Sequence, residues 1–288
     1  MNNKERLVGI HHRVDGDLTA ALKQAMEIGA NCMQIFVSSC ITGKLFSFSR
    51  YDLGEYLRIM QTSGVAEVYA HASFRISLTT PRKDILGISK RIILEELKVC
   101  EEIGAKYLVI HPGSSKDHSK TSSDPHGIGA GIETLALTLN QLCLKNTFST
   151  KMLIENTAYG KSNVGSNLQD FVALQNLLEF PEKIGFCLDL AHCYAYGYPL
   201  DPVDDFVNLL NSTMELKNID LVHLNDSATK LGSRIDQHKT PGEGYIGIKP
   251  LREFVKHKET TYIPTIMELP PATVQDAKRS VQLVKSWF

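Results

Sequence analysis

Eight short apolar runs, at residues 7–11, 32–37, 67–71, 107–111, 152–155, 184–189, 219–223 and 262–268, recur along the chain with longer amphipathic stretches between them. The runs have the length of β-strands. The intervening segments, such as 84–104 and 167–180, space their apolar residues near 3.6 apart and so predict helices. Strand and helix alternating eight times within 288 residues predicts an α/β fold, a single (β/α)8 TIM barrel spanning 1–288. A doubly wound sheet is the competitor, but no GxGxxG follows the first run. Gly29 and Gly104 stand where helix C-caps belong, and Asp17, Ser49, Asp84 and Asp204 suit N-caps or first turns. Residues 114–131 form the least regular stretch.

The chemistry is concentrated at the ends of the runs. Runs three to eight close on His71, His111, Glu155, Asp189, His223 and Glu268, and run one closes on His11. In a barrel the C-terminal ends of all strands meet at one mouth. A lone histidine or glutamate there is ordinarily a hydrogen-bonded structural residue. Six together are different: imidazoles and carboxylates crowded at one mouth repel and desolvate one another unless cations lie between them. Two further pairs extend the set. Asp189 and His192 are one helical turn apart, and Asp236 and His238 lie on one side of an extended segment in the loop after run seven. Nitrogen and carboxylate donors without thiolate suit zinc, with manganese or iron as substitutes.

Bulk properties constrain less. The net charge of −1 carries no basic signature, and composition alone argues against nucleic-acid binding, although bound cations would add positive charge that the count omits. Cys32, Cys40, Cys100, Cys143, Cys187 and Cys193 form no CxxC pair and mostly sit in apolar runs, as reduced core thiols do. No apolar run is long enough for a membrane span, and the start of the chain does not resemble a signal peptide, which leads us to expect a cytoplasmic protein, nucleoid-associated if bacterial.

The segments HPGS at His111, IENTA at Ile154, CLDLAH at Cys187, HLND at His223, and GSRIDQH at Gly232 followed by GEGYIG resemble the endonuclease IV family of apurinic/apyrimidinic endonucleases over nearly the whole chain. The resemblance implies a TIM barrel with three zinc ions, one replaceable by manganese or iron, that hydrolyses the phosphodiester 5′ to an abasic site in damaged double-stranded DNA and leaves a 3′-OH. Trimming of blocked 3′ ends and a monomeric state belong to the same expectation. It assigns His71, His111 and bridging Glu155 to the first ion, Glu155, Asp189, His223 and Glu268 to the second, and His192, Asp236 and His238 to the third. Glu155 and Glu268 would also be the catalytic carboxylates. All nine positions hold the expected residue type.

The departures fall in loops expected to read DNA. Residues 37–41 (VSSCI) lack the arginine of the family's Asn-x-Arg segment. HASFRIS at 71–77 places Phe74 where a wedge tyrosine is expected; Phe74 suits either insertion between bases or core packing. Tyr159-Gly-Lys-Ser-Asn163 replaces Gly-Gln-Gly-Ser-Asn and introduces Lys161. Arg234 suits a backbone phosphate or a structural ion pair, and His11 with Phe74, Lys161 and Arg234 completes the expected DNA contacts. The rival readings are a xylose-isomerase-like sugar isomerase or epimerase, and a non-catalytic damage-binding protein on the same scaffold.

Overall fold

Inward and outward residues alternate along each strand, and that period of two builds the site. The computed structural model describes residues 6–13, 17–40, 42–48 and 50–288. In chain order the strands are β1 Val8–His12, β2 Cys32–Phe36, β3 Glu67–His71, β4 Tyr107–Ile110, β5 Lys151–Glu155, β6 Ile184–Asp189, β7 Ile219–His223, β8 Asp226–Ser227, β9 His238–Lys239 and β10 Thr265–Met267. The helices are α1 Leu18–Glu27, α2 Arg50–Met60, α3 Lys83–Ile103, α4 Ile128–Lys145, α5 Gln169–Gln175, α6 Leu190–Tyr196, α7 Val203–Thr213, α8 Ile248–Lys256 and α9 Val274–Lys285. The order β1-β10-β7-β6-β5-β4-β3-β2 closes into an all-parallel barrel, and β8 pairs with β9 in a small antiparallel ribbon over the mouth loops. The expected barrel is the one observed.

Two layers of core follow. Cys32, Tyr69, Tyr107, Val109, Leu153, Cys187, Leu221 and Ile266 fill the inside of the barrel. Outward residues such as Met33, Val68, Leu108 and Ile154 pack beneath the helices in a second, larger cluster. Full burial of a side chain such as Leu22 or Phe254 stabilises the chain by roughly 2 kcal/mol each. Below the inner layer, Lys106 pairs with Glu67 at 2.6 Å and Lys151 with Asp220 at 2.6 Å. Gly185 leaves room for the second pair: a Cβ there would lie 1.9 Å from Asp220 Oδ2.

The differences from expectation have local causes. β10 is shorter than 262–268, because residues 260–263 close a turn, with Ile263 N donating to Thr260 O at 3.0 Å, and Pro264 has no N–H to continue pairing. α5 stops at Gln175 instead of running to 180. There Asn140 Nδ2 donates to Leu177 O at 2.9 Å and Glu179 N donates to Asn140 Oδ1 at 2.9 Å, so a neighbouring helix takes over the backbone partners. The irregular stretch ends at Gly127, not 131: Asp124 Oδ1 accepts from Ile128 N at 2.7 Å and starts α4. The helical turn expected at Asp189 and His192 extends into α6, which makes nine α-helices among the described residues, and the β8–β9 ribbon was not expected. Asp17 caps α1 through Ala20 N at 2.8 Å, Asp84 and Asp204 sit in first turns, and Gly29 and Gly104 adopt left-handed φ of 76° and 71°. Ser49 lies outside the described residues.

Candidate metal centre

Six of the nine candidate ligands lie two residues beyond an inward core residue, His192 lies in the first turn that follows Asp189, and Asp236 and His238 come from the segment after β7 that leads into β9. Tyr69 leads to His71, Val109 to His111, Leu153 to Glu155, Cys187 to Asp189, Leu221 to His223 and Ile266 to Glu268. The parity that buries the inner core therefore aims six donors into the mouth. Asp189 is also the N-cap of α6, its Oδ1 accepting from His192 N at 2.7 Å, which turns the His192 ring toward the same space.

Glu155 is the centre. Its Oε2 lies 2.9 Å from His111 Nε2 and 3.2 Å from His71 Nε2, while Oε1 lies 2.9 Å from His223 Nδ1. His223 Nδ1 is also 3.5 Å from Glu268 Oε2 and 3.9 Å from Asp189 Oδ2. A third group forms at the rim, where Asp236 Oδ1 is 3.1 Å from both His192 Nε2 and His238 Nε2. His238 Nε2 reaches Asp189 Oδ2 at 3.5 Å, which joins this group to the second. Eight of the nine expected positions fall in compact donor groups, His71–His111–Glu155, Glu155–Asp189–His223–Glu268 and Asp189–His192–His238, and Asp236 joins the last through His192 and His238.

The electrostatics fit cations. Burial disfavours the Glu155 carboxylate, yet His223 and His111 override it and hold the group well below the usual carboxylate range. Burial likewise opposes charge on His192, and Asp189 and Asp236 nevertheless hold its imidazole well above 6.5. Asp236 is held well below its ordinary value by His192 and His238 against the cost of burial. Like charges about 4 Å apart repel by roughly 4 kcal/mol at an effective dielectric of about 20. In the free chain, protons shared between rings and carboxylates offset that cost; divalent ions would do so with nitrogen and oxygen donors only.

Neutral residues, which the sequence reading did not single out, orient these groups. His71 Nδ1–H donates to Ala72 O at 2.8 Å and His192 Nδ1–H to Asn156 O at 2.8 Å, leaving both Nε2 atoms inward. His223 Nε2–H donates to Gln34 Oε1 at 3.0 Å. Asn225 Nδ2 donates to Asp189 Oδ2 at 2.7 Å and to Glu268 Oε2 at 3.2 Å, and its Oδ1 accepts from Glu268 N at 2.7 Å. Asn156 and Asn225 stand inside IENTA and HLND and could have been found there, and Gln34 by its parity with inward Cys32. Cys187 Sγ approaches Glu155 and His223 from the barrel interior; burial pushes its thiol up to about 12, in keeping with a reduced core thiol. The other cysteines are free as well.

GEGYIG serves a carboxylate. Asp226 accepts from the backbone N–H groups of Gly242 (3.0 Å), Gly244 (3.0 Å), Ile246 (2.9 Å) and Gly247 (3.2 Å). A Cβ on Gly244 would sit 2.4 Å from Asp226 Oδ1, so only glycine permits the wrap.

The expected DNA-contacting residues are distributed unevenly. Phe74 is 58% exposed, which removes the core-packing alternative; its ring stands 5.6 Å from Phe36, His71 and His111. Arg234 makes no ion pair among the described residues and instead lies 3.6 Å over the Tyr196 ring, so the structural ion pair is not formed. Lys161 is exposed at the rim on a left-handed backbone, φ 53°. His11 is placed inside the site, its side chain 7% exposed, with Nδ1 accepting from Gln34 Nε2 at 2.8 Å. The loop that departs from the family's Asn-x-Arg pattern is stitched to the Phe74 loop: Ser38 Oγ and Ser73 N (3.1 Å) both donate to buried Glu96, whose carboxyl burial pushes up to about 7. Ile41 of that loop lies outside the described residues. Beside the donors a cleft of about 830 Å³ opens, walled on its apolar side by Phe36, Phe46, Phe74 and Leu269. No described helix is long and apolar enough to cross a membrane.

Comparison with known proteins agrees with this geometry. A family model described as "Xylose isomerase-like TIM barrel" matches residues 22–287. A probable endonuclease 4 of Halothermothrix orenii is 31% identical over 280 residues, covering 96% of this chain and 97% of the relative. One from Thermosipho melanesiensis is 28% identical over 91% of this chain and 92% of the relative. Among solved structures, endonuclease IV from Thermus thermophilus superposes with a TM-score of 0.83 at 24% identity over 98% of both chains. A D-tagatose 3-epimerase-like protein follows at 0.70 and 17% identity, over 98% of this chain and 96% of its own, a likeness of fold alone. With residues 22–287 matched and a relative at 31% identity along nearly its full length, this chain belongs to the endonuclease IV family of xylose-isomerase-like TIM barrels.

Proposed function

We propose that the chain is a metal-dependent DNA-repair endonuclease that hydrolyses the phosphodiester 5′ to an abasic site and leaves a 3′-OH. The observation that supports it most is the convergence of nine side chains, from six strand ends and the loop after β7, into joined nitrogen–oxygen donor sets. His71, His111 and Glu155 would hold one ion; Glu155, Asp189, His223 and Glu268 a second; His192, Asp236 and His238 a third, with zinc favoured by the donor types.

When bound, divalent cations supply Lewis acidity, making water more acidic and neutralising phosphate charge. Glu155 spans two donor sets through its separate oxygens and so sets their spacing. Glu268 is turned by Asn225 and Gln34, with Oε2 toward the donors and Oε1 accepting from Gln34 Nε2 at 3.3 Å, where it orients the attacking water. Phe74 and Phe36 shield the reacting phosphate from bulk water and offer ring faces to an unstacked strand. Arg234 and Lys161, free of carboxylates among the described residues, are available to flanking phosphates.

Duplex DNA carrying one abasic analogue tests the reading. We expect a metal-dependent nick on its 5′ side, abolished by chelator, and a fall of at least a thousandfold in Glu155→Gln with the fold retained. Absence of a chelator-sensitive nick would remove the reading. A sugar epimerase would function with one or two ions, so three ions per active chain also count against that rival.

A further inference from the structure

Asp236 differs from the other candidate carboxylates in how it is held. Asp189 and Glu268 are braced by Asn225, and Glu155 is enclosed by the imidazoles of His71, His111, His192 and His223. Asp236 is at the rim, where Oδ1 faces His192 and His238. Among the described residues its Oδ2 has one partner, the Tyr159 hydroxyl, which donates at 3.1 Å. Tyr159 belongs to the segment where this chain departs from its family's glycine-rich pattern.

The hydroxyl is delivered by a pinned turn. Thr157 N donates to Gly165 O at 3.0 Å, Gly160 N to Ser166 Oγ at 2.9 Å and Asn163 N to Gly160 O at 3.1 Å. Gly160, at φ +71°, lets that turn close on Arg234; a Cβ there would lie 3.1 Å from Arg234 Nη1 and 3.4 Å from Tyr196 Cε2. Arg234 N in turn donates to Ala195 O at 2.9 Å, which ties the segment bearing Asp236 to α6, the helix bearing His192. The turn, the stacked guanidinium and the carboxylate form one connected rim.

We propose that Tyr159 is a positioning residue for the third ion: its hydroxyl holds Asp236 Oδ2 and so presents Oδ1 to the site shared with His192 and His238. Partners of this kind typically change metal affinity by about 10- to 100-fold. The inference rests on the three-ion reading above, and it can fail separately from the nuclease reading.

The test titrates metal-free protein with zinc against a chromophoric chelator, and with cobalt followed by its visible absorption. Tyr159→Phe keeps the ring and removes the hydroxyl. We expect the ion held by His192, Asp236 and His238 to lose about tenfold in affinity, the other two to bind within twofold of wild type, and the cobalt spectrum of the third site to change. On an abasic duplex, kcat falls while KM stays within twofold. In an Asp236→Ala background the same substitution should have no further effect, because the hydroxyl acts through Asp236. Wild-type affinities for all three ions in Tyr159→Phe overturn the proposal. So does equal weakening of all three, or a further loss in the Asp236→Ala background. Fewer than three ions in the wild-type chain overturns it together with the three-ion reading. Three ions, a selective loss in Tyr159→Phe and no nick by the wild-type chain would sustain the proposal and remove the nuclease reading alone.

Discussion

His223 Nε2–H donates to Gln34 Oε1 at 3.0 Å, so the ring turns Nδ1 toward Glu155 and Glu268. An amide oxygen only accepts, and that sets which imidazole nitrogen carries the proton. The same amide's nitrogen donates to His11 Nδ1 at 2.8 Å, so one glutamine sets the roles of two rings. Gln34→Leu, buried and close in volume, should lower affinity for the ion proposed to be shared by Glu155, Asp189, His223 and Glu268 by about 10- to 100-fold. Chelator competition measures this, and nitrogen chemical shifts of His223 should report a mixed tautomer. Wild-type affinity with an unchanged tautomer would contradict the assignment.

Asp226 is a structural centre and not a ligand. Asp226→Ala leaves several backbone N–H groups of the 242–247 loop without an acceptor, at a cost of about 3 kcal/mol or more. For a chain of this size that is a fall in Tm on the order of 5–10 °C. Thermal melting of metal-free protein isolates the effect, and a shift under 2 °C would show that water replaces the carboxylate.

The pH dependence of the metal-free chain follows from two opposed shifts. The His192 and His223 rings are raised well above 6.5, so their contribution is complete below that value and is lost as pH rises through the folded-state values. The Glu155 and Glu268 carboxyls are held well below 4.5, so theirs is complete above that value and lost as pH falls through the folded-state values. The metal-free chain should therefore be most stable in mildly acidic solution, between the two ordinary values. Metal displaces the ring protons, so the loaded chain should reach its maximum at higher pH, and zinc affinity should rise with pH. Melting curves with and without chelator across pH 4–9 (roughly the span over which these groups titrate) check both signs.

Phe74 stands over the donors on an exposed loop, 58% accessible. Phe74→Ala should leave Tm nearly unchanged but raise KM for an abasic duplex about tenfold, since stacking against a base contributes about 1–3 kcal/mol. An unchanged KM would assign the wedge to another side chain.

The eight strands and the inward aim of His71, Glu155, Asp189 and His223 could be read from sequence because both follow from local patterns. An apolar run of strand length makes the strand, and a period of two carries each inward core residue to the next inward position. Helix ends were legible where the cap is local, as at Asp17. They were not where a neighbour decides, as at α5, where Asn140 of another helix captures the backbone.

Parity and motif could point to Gln34 and Asn225, but only the tertiary structure decided which partners Gln34, Asn225, Asp226 and Tyr159 meet. Gln34 meets His223 across 189 positions of chain and Tyr159 meets Asp236 across 77. Parity can place an amide on the inward face, but amides and hydroxyls carry no charge signature, and their function depends on which atom faces which partner once the barrel has closed. Strand pattern is written in near neighbours and so survives in the sequence; the orientation of a ligand by its hydrogen-bond partner exists only when distant segments are brought to about 3 Å.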